Sequence, residues 1–163
     1  MTKEEDLKQQ ISNFVKQQKT LILASSNQDK QPLSSYTPFI QDDLGNFYIF
    51  ISDMAEHSKN IQNACDTSGT ISILLIADEQ DSNNLFARKR LTYACKVSHI
   101  SRDEPAWSGF MQQFQERFGK IVELLTQLGD FHLYCLRPGK GNYVHGFGKA
   151  YALENGVLKH IEA

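Results

Sequence analysis

Phe86-Ala-Arg-Lys-Arg-Leu-Thr-Tyr93, running on through Ala94-Cys-Lys-Val-Ser-His-Ile100, is the stretch that decides the fold. It reads as one long β-strand. Arg88, Arg90 and Thr92 keep one phase of a two-residue period, whereas Cys95, Val97 and His99 keep the other, so the pattern predicts a bulge near Ala94 or a change of face. Within the strand Arg88 and Arg90 point to one side and Lys89 to the other. Two guanidiniums about 6–7 Å apart on one face make a fork for carboxylate or phosphate. The same charges also suit a solvated edge strand blunted against aggregation. The three residues by themselves lean to the edge-strand reading, and their surroundings shift the balance.

A chain of 163 residues suits one domain, spanning residues 1–163, and 40% hydrophobic with 22% charged residues is an ordinary globular balance. A net charge of −2 offers no general attraction to nucleic acid or an anionic membrane, so any anion site must be local. Three cysteines, Cys65, Cys95 and Cys135, are odd in number and form no C-x-x-C pair; they suit reduced thiols in a cytoplasm. No apolar run approaches the ~18 residues of a membrane span, and the N-terminus lacks an apolar signal core. These features predict a cytoplasmic protein.

Ahead of the basic strand, Leu7, Ile11, Phe14 and Val15 recur at helical spacing, and Thr2 with Glu5 fits a capping box, which predicts a helix over 3–18. Strands follow at 20–25, 33–40 and 47–52, the last apolar at almost every position and so expected to be buried on both faces. Asp53 and Glu56 open a short helix that ends near 66, and residues 70–76 form a fourth strand. Beyond the basic strand, Ser101, Glu104 and Pro105 resemble a helix start. The strongest helical repeat runs from Trp107 to Leu128, with Gly119 a possible break and Gly129 a natural cap. Strands at 131–136 and 142–147 flank an expected turn at Pro138-Gly139-Lys140-Gly141, and residues 151–161 suit an edge strand or tail. Roughly six to seven short strands with helices early and late predict an antiparallel β-barrel with helices outside.

No nucleophile elbow, phosphate loop, dinucleotide fingerprint or zinc spacing is present. Two constellations stand out. His57-Ser58-Lys59-Asn60 lies at a helix start, where free N–H groups, a hydroxyl and a cation favour anions. With Arg88 and Arg90 it would hold a phosphate or a pair of propionates. Asp130 sits between Gly129 and a core strand; a turn residue is the ordinary reading there, a proton acceptor in a cleft the sharper one.

Ser35-Tyr-Thr-Pro-Phe39, Ile51-Ser-x-x-Ala55-x-His57-x-x-Asn60, Leu85-Phe-Ala-Arg-Lys-Arg-Leu-Thr92, Arg117-Phe-Gly119, Asp130-Phe131 and Gly146-Phe-Gly-x-Ala-Tyr151 occur in this order. Together they resemble the haem-utilisation proteins of bacteria, the HugZ/HutZ group of the pyridoxamine-5′-phosphate-oxidase-like split barrels. The resemblance implies a six-stranded antiparallel split β-barrel with flanking helices that pairs into a homodimer with cofactor clefts between subunits. It implies haem, opened with oxygen to release iron, or, from the wider superfamily, flavin mononucleotide (FMN) and an oxidoreductase; non-catalytic haem storage or transfer is a third expectation. It places Ser58, Lys59, Arg88, Lys89, Arg90 and Thr92 on the cofactor and makes Asp130 and His57 the catalytic candidates. Haem-degrading members carry a Gly-His-Arg-Lys tail whose histidine ligates the iron, and this chain ends Leu158-Lys-His-Ile-Glu-Ala163 without it. His99 and His132 are expected inside the barrel and His145 packed, which leaves His57 and His160. Because the family keeps its ligand in the tail, His160 is the expected iron ligand.

Overall fold

The computed structural model describes residues 1–162. Helix α1 (Lys3–Gln17) opens with the expected reciprocal cap between Thr2 and Glu5 and buries Leu7, Ile11, Phe14 and Val15. Strands β1 (Thr20–Ser26) and β2 (Pro32–Pro38) form a hairpin, and β3 (Ile40–Gln41) is a separate two-residue strand because the chain there leaves β1 and pairs with the strand that follows it. Strand β4 (Phe47–Ser52) is buried on both faces, as its apolar run predicts. Helix α2 (Glu56–Asp66) begins three residues later than Asp53, because the Ser52 hydroxyl accepts from the Met54 N–H and holds that segment as a turn. Strand β5 (Thr70–Ile76) has the expected bounds.

The basic segment departs from expectation. Leu85–Ala87 is a 3₁₀ turn in which the Asn84 side chain accepts from the Phe86 N–H, and strand β6 runs only over Arg90–Ile100. Arg88 and Lys89 therefore precede the strand instead of alternating along it. The break near Ala94 is present as a register shift between Tyr93 and Cys95. Its cause lies on the neighbour, strand β7 (Phe131–Val144), which runs straight through the expected 138–141 turn. Tyr93 pairs with Gly141 and Cys95 with Pro138, so β7 carries one residue more than β6 across this interval. The extra residue reverses the face of β7. Tyr134 and Leu136 enter the barrel core on even numbers, and Tyr143 enters it on an odd one.

Helices α3 (Trp107–Phe118) and α4 (Ile121–Gln127) divide at Gly119, whose φ of 87° only glycine adopts cheaply. Ser101 and Glu104 do bond, through the Ser101 N–H and the Glu104 carboxylate, but the helix starts beyond them at Trp107; α4 ends on an extended Leu128, not on Gly129. Strands β8 (Ala150–Glu154) and β9 (Val157–His160) form a closing hairpin around Asn155-Gly156, both at positive φ.

All strands join one antiparallel nine-stranded sheet in the order β2-β1-β5-β6-β7-β4-β3, with β8 beside β7 and β9 beside β8. That is more than the six to seven strands expected, because β3 and the β8–β9 hairpin add to the main six. The sheet curls so that β2 comes alongside β4 without pairing to it, which is the split in the barrel. Phe47, Ile49 and Ile51 point inward with Leu21, Leu23, Ile73 and Leu91; Tyr48 and Phe50 point outward beneath Met111, Phe114 and Val122 of α3 and α4. Burying side chains of this size contributes about 1.5–3 kcal/mol each, so the two-sided core under β4 is a large share of what holds the curl.

Candidate functional site

Arg88 closes the 3₁₀ turn, and its guanidinium turns back: Nε donates to the Ala77 carbonyl, and Nη1 lies 3.6 Å from the Glu79 carboxylate. Arg90 Nη1 donates to the Arg88 carbonyl at 2.9 Å. The two guanidiniums are thus tied by local bonds at the mouth of β6, in place of the open fork expected on one strand face. Only Arg90 and Thr92 share that face. Lys89 places Nζ 5.9 Å from the centre of the Phe14 ring, a cation over an aromatic face. Arg88 and Lys89 line a recess of about 810 Å³ at this end of the barrel, together with Lys19, Asn84, His145 and Phe147. A volume of that order suits a ligand the size of a cofactor.

The start of α2 is built differently. The Ser58 hydroxyl donates to the Ser52 carbonyl, His57 Nδ1 meets the Ser35 hydroxyl at 2.8 Å, and the Asn60 amide donates to the Ser25 hydroxyl at 3.1 Å. All three side chains are buried. His57 and Asn60 tie α2, which follows β4, to β2 and β1 across the open seam, while Ser58 holds it to the end of β4. Burial pushes the His57 imidazole below its ordinary value, so it is held neutral there. Lys59 is exposed and lines a separate recess with Asn27, Gln31 and Asn63. The expected joint cradle of Ser58, Lys59, Arg88 and Arg90 is therefore not assembled within one chain: the Ser58 hydroxyl is spent, and Lys59 and Arg88 open onto different recesses.

Asp130 accepts a hydrogen bond from the Ser52 hydroxyl at 2.7 Å, and its carbonyl accepts from the Asp53 N–H at 2.8 Å. It joins the end of β4 to the start of β7, and its carboxylate is half-buried. Next to it His132 Nε2 lies 3.0 Å from Asp53 Oδ2, with the His99 ring 5.6 Å beyond. His99 and His132 are not enclosed by the barrel; they line a small recess of about 320 Å³ with Cys65 and Asp66. Among the described residues no group of three or more His, Cys, Asp or Glu is disposed to hold a metal ion.

His160 was expected in an edge strand or tail able to reach the partner subunit's cleft. It stands in β9 opposite Tyr151, with Nε2 bonded to the Gly148 carbonyl at 2.6 Å. The Asn-Gly turn folds this segment back onto β8, so it is part of the sheet. His145, read from the sequence as merely packed, lies between the rings of Tyr143 (5.4 Å, 15°) and Tyr151 (5.8 Å, 18°). Its Nε2 is buried without a partner. A histidine one residue before Gly146-Phe147-Gly148, two after an inward tyrosine, was the available signal for this position.

The pattern of the pyridoxamine 5′-phosphate oxidase family matches residues 7–145. The chain is 40% identical over 152 residues to the heme oxygenase HutZ of Vibrio cholerae, a match that spans 93% of this chain and 84% of that one. The crystal structure of Campylobacter jejuni ChuZ is similar at a TM-score of 0.88 and 29% identity, covering 99% of this chain and 64% of that one, so this chain spans less than two thirds of ChuZ. The crystal structure of Vibrio cholerae HutZ, there called a heme storage protein, is similar at a TM-score of 0.72 and 38% identity, covering 80% of this chain and 88% of that one. Fold, ordered motifs and these likenesses agree: the chain belongs to the pyridoxamine 5′-phosphate oxidase family of split barrels, in the branch that contains HutZ.

Proposed function

We propose that this protein binds haem and opens it with oxygen to release iron. The observation that carries the reading is the recess at the mouth of β6. Lys19, Arg88 and Lys89 supply positive charge for propionates, partly offset by Asp78, Asp81 and the Glu79 carboxylate beside Arg88, and exposed Phe147 supplies an apolar surface. The cations suit the propionate edge of a flat dianion. Bound haem would be both substrate and the source of oxygen chemistry. The chain's own residues would bind its propionates and exclude water, whereas Asp130, anchored by Ser52 at the start of β7, stands at the opposite end of the β6–β7 ladder from this recess. His57 is the second catalytic candidate; its bond to Ser35 and its burial favour a positioning role. Free cysteines, and no helix among the described residues long and apolar enough to cross a membrane, support a cytoplasmic setting for such a protein.

The site completes itself in a homodimer. On the outer face of the sheet Tyr36, Ile22, Leu74 and Thr92 are cross-strand neighbours, and Ser34, Ala24, Ser72 and Ala94 form the next row. Neither row contains a charge, Tyr36 and Ile22 are exposed, and Arg90 borders the face beside Thr92. A flat uncharged face of this kind matches a second copy of itself, and it would bring Arg90 and Thr92 to the boundary between subunits.

Flavin mononucleotide is the alternative that family membership supports. Its phosphate would need the Ser58 hydroxyl, which is buried and bonded to Ser52, so the haem reading has the better donor set. Absorption spectra of the purified protein titrated with ferric haem and, separately, with flavin mononucleotide test this. A saturable Soret band supports haem; a flavin spectrum that co-purifies or saturates instead overturns it. Aerobic incubation of the haem complex with ascorbate and a ferrous chelator then separates turnover from storage, since turnover bleaches the Soret band and colours the chelator.

A further inference from the structure

We infer that Glu79 is a built-in competitor for the recess at the mouth of β6: its carboxylate holds Arg88 in the folded chain, and a carboxylate of the ligand must take its place. The inference rests on the haem reading above and names what limits the affinity of that site. Lys19, Arg88 and Lys89 line the recess, and so do Asp78 and Asp81. Glu79 belongs to the same acidic stretch, in the 3₁₀ turn Glu79–Asp81. Among the described residues Arg88–Glu79 is the one ion pair that involves a cation of this recess.

The two halves of the pair are unequal. The bond from Arg88 Nε to the Ala77 carbonyl fixes the guanidinium, and the Ala77 N–H donates to the Lys89 carbonyl at 2.9 Å, so the cations are tied to the end of β5. The Arg88 side chain is 22% exposed and that of Glu79 72%. Their separation of 3.6 Å is longer than a hydrogen bond, which leaves the guanidinium able to take a closer, two-pronged partner. The turn that carries Glu79 keeps its shape without the pair. The Asp81 N–H and the Ser82 hydroxyl both donate to the Asp78 carbonyl, and the Ser82 N–H donates to the Glu79 carbonyl. Releasing Arg88 therefore breaks one weak, exposed ion pair and nothing else in the turn. A carboxylate tethered this close competes at high effective concentration, so a ligand carboxylate binds against it. Asp78 and Asp81 are exposed and act differently: they repel an anion through water, where salt screens them. Neutralising Glu79 removes a contact with one guanidinium, whereas neutralising Asp81 removes a charge that touches no cation of the recess.

Titrations of the unaltered protein, Glu79→Gln and Asp81→Asn with ferric haem and with its dimethyl ester, at low salt, decide the matter, read by the Soret band and apparent Kd. Glu79→Gln is expected to bind haem at least about threefold more tightly than the unaltered protein, with the gain shrinking as salt is added. The ester offers Arg88 no carboxylate and is expected to show no gain. Asp81→Asn removes the same charge from the same turn without touching Arg88, and its gain for haem is expected to be smaller. Equal gains in the two variants, or an equal gain with the ester, reduce Glu79 to general charge and overturn the assignment while leaving the haem reading standing. A Glu79→Gln protein that binds haem no more tightly than the unaltered one does the same. Absence of any Soret band in the unaltered protein overturns both.

Discussion

An added Cβ at Gly141 would sit 2.4 Å from the Thr92 carbonyl oxygen and 2.5 Å from the Tyr93 ring. Both neighbours belong to β6, whose ladder prevents either from retreating. Gly141→Ala is therefore expected to destabilise the fold by about 1–3 kcal/mol through overpacking, seen as a lower urea midpoint at unchanged slope. His57 gives a second prediction at this scale. Its imidazole is held below the ordinary value by burial, so the folded chain takes up that proton at lower pH than the unfolded chain does. Its contribution is complete above about pH 6.5, the ordinary histidine value, and is lost as pH falls from there through the lowered folded value. His145 acts in the same direction. Urea midpoints measured from pH 8 to 5 should fall, and His57→Gln should flatten part of that fall; an equally steep fall in the variant would remove His57 as its source. Neither His57's partner nor His145's isolation was legible in the sequence. Each depends on a residue far along the chain or on another strand, Ser35 for one and Tyr151 for the other, and spacing within a segment carries no record of such meetings.

Among the elements, those written in local pattern were read well. The capping box at Thr2, the two-sided burial of β4 and the bounds of β5 all follow from periodicity and composition. The β7 strand was misread as two because Pro138, Gly139 and Gly141 are turn residues by type. In the folded chain they supply a bulge: Pro138 needs no N–H there, and Gly141 allows β6 to come close. The basic run failed for the opposite reason. Its residues suit a strand, but the Asn84 side chain captures the Phe86 N–H and imposes a turn first. Gly119 was read correctly as a break between helices, and it yields a prediction. An added Cβ there meets nothing within 4 Å, so only the backbone resists substitution. Gly119→Ala should cost about 1–3 kcal/mol from the backbone alone, since φ 87° with ψ −166° is essentially glycine's own conformation, while Gly129→Ala, with free space and an ordinary φ, should cost well under 1 kcal/mol. Thermal unfolding of the two variants side by side checks the contrast.

For the whole molecule, the open question is what covers the outer face of β2, β1, β5 and β6. The rows through Ile22 and Ala24 are uncharged, while Arg90 and Lys96 stand toward opposite ends of β6 on the same alternation. Two copies related by a two-fold axis would bury the rows against each other and leave the cations at the margins, where water or a haem propionate can reach them. The motifs announced the family, but no local pattern marks this face as an interface, because small and apolar residues alternate there as they do on any half-exposed sheet. Ile22→Lys places a charge in the middle row, and across a two-fold axis it places two. Equilibrium sedimentation should show a dimer for the unaltered chain at micromolar concentration and a shift of at least tenfold in Kd toward monomer for the variant. The fold should survive, since Ile22 is already partly exposed. Haem binding then distinguishes two arrangements. If the recess needs its neighbour, affinity falls together with dimerisation, because Arg90 and Thr92 lose the surface opposite them. If the monomer binds haem as tightly as before, Arg88 and Lys89 hold it within one chain, and the boundary between subunits has no part in binding.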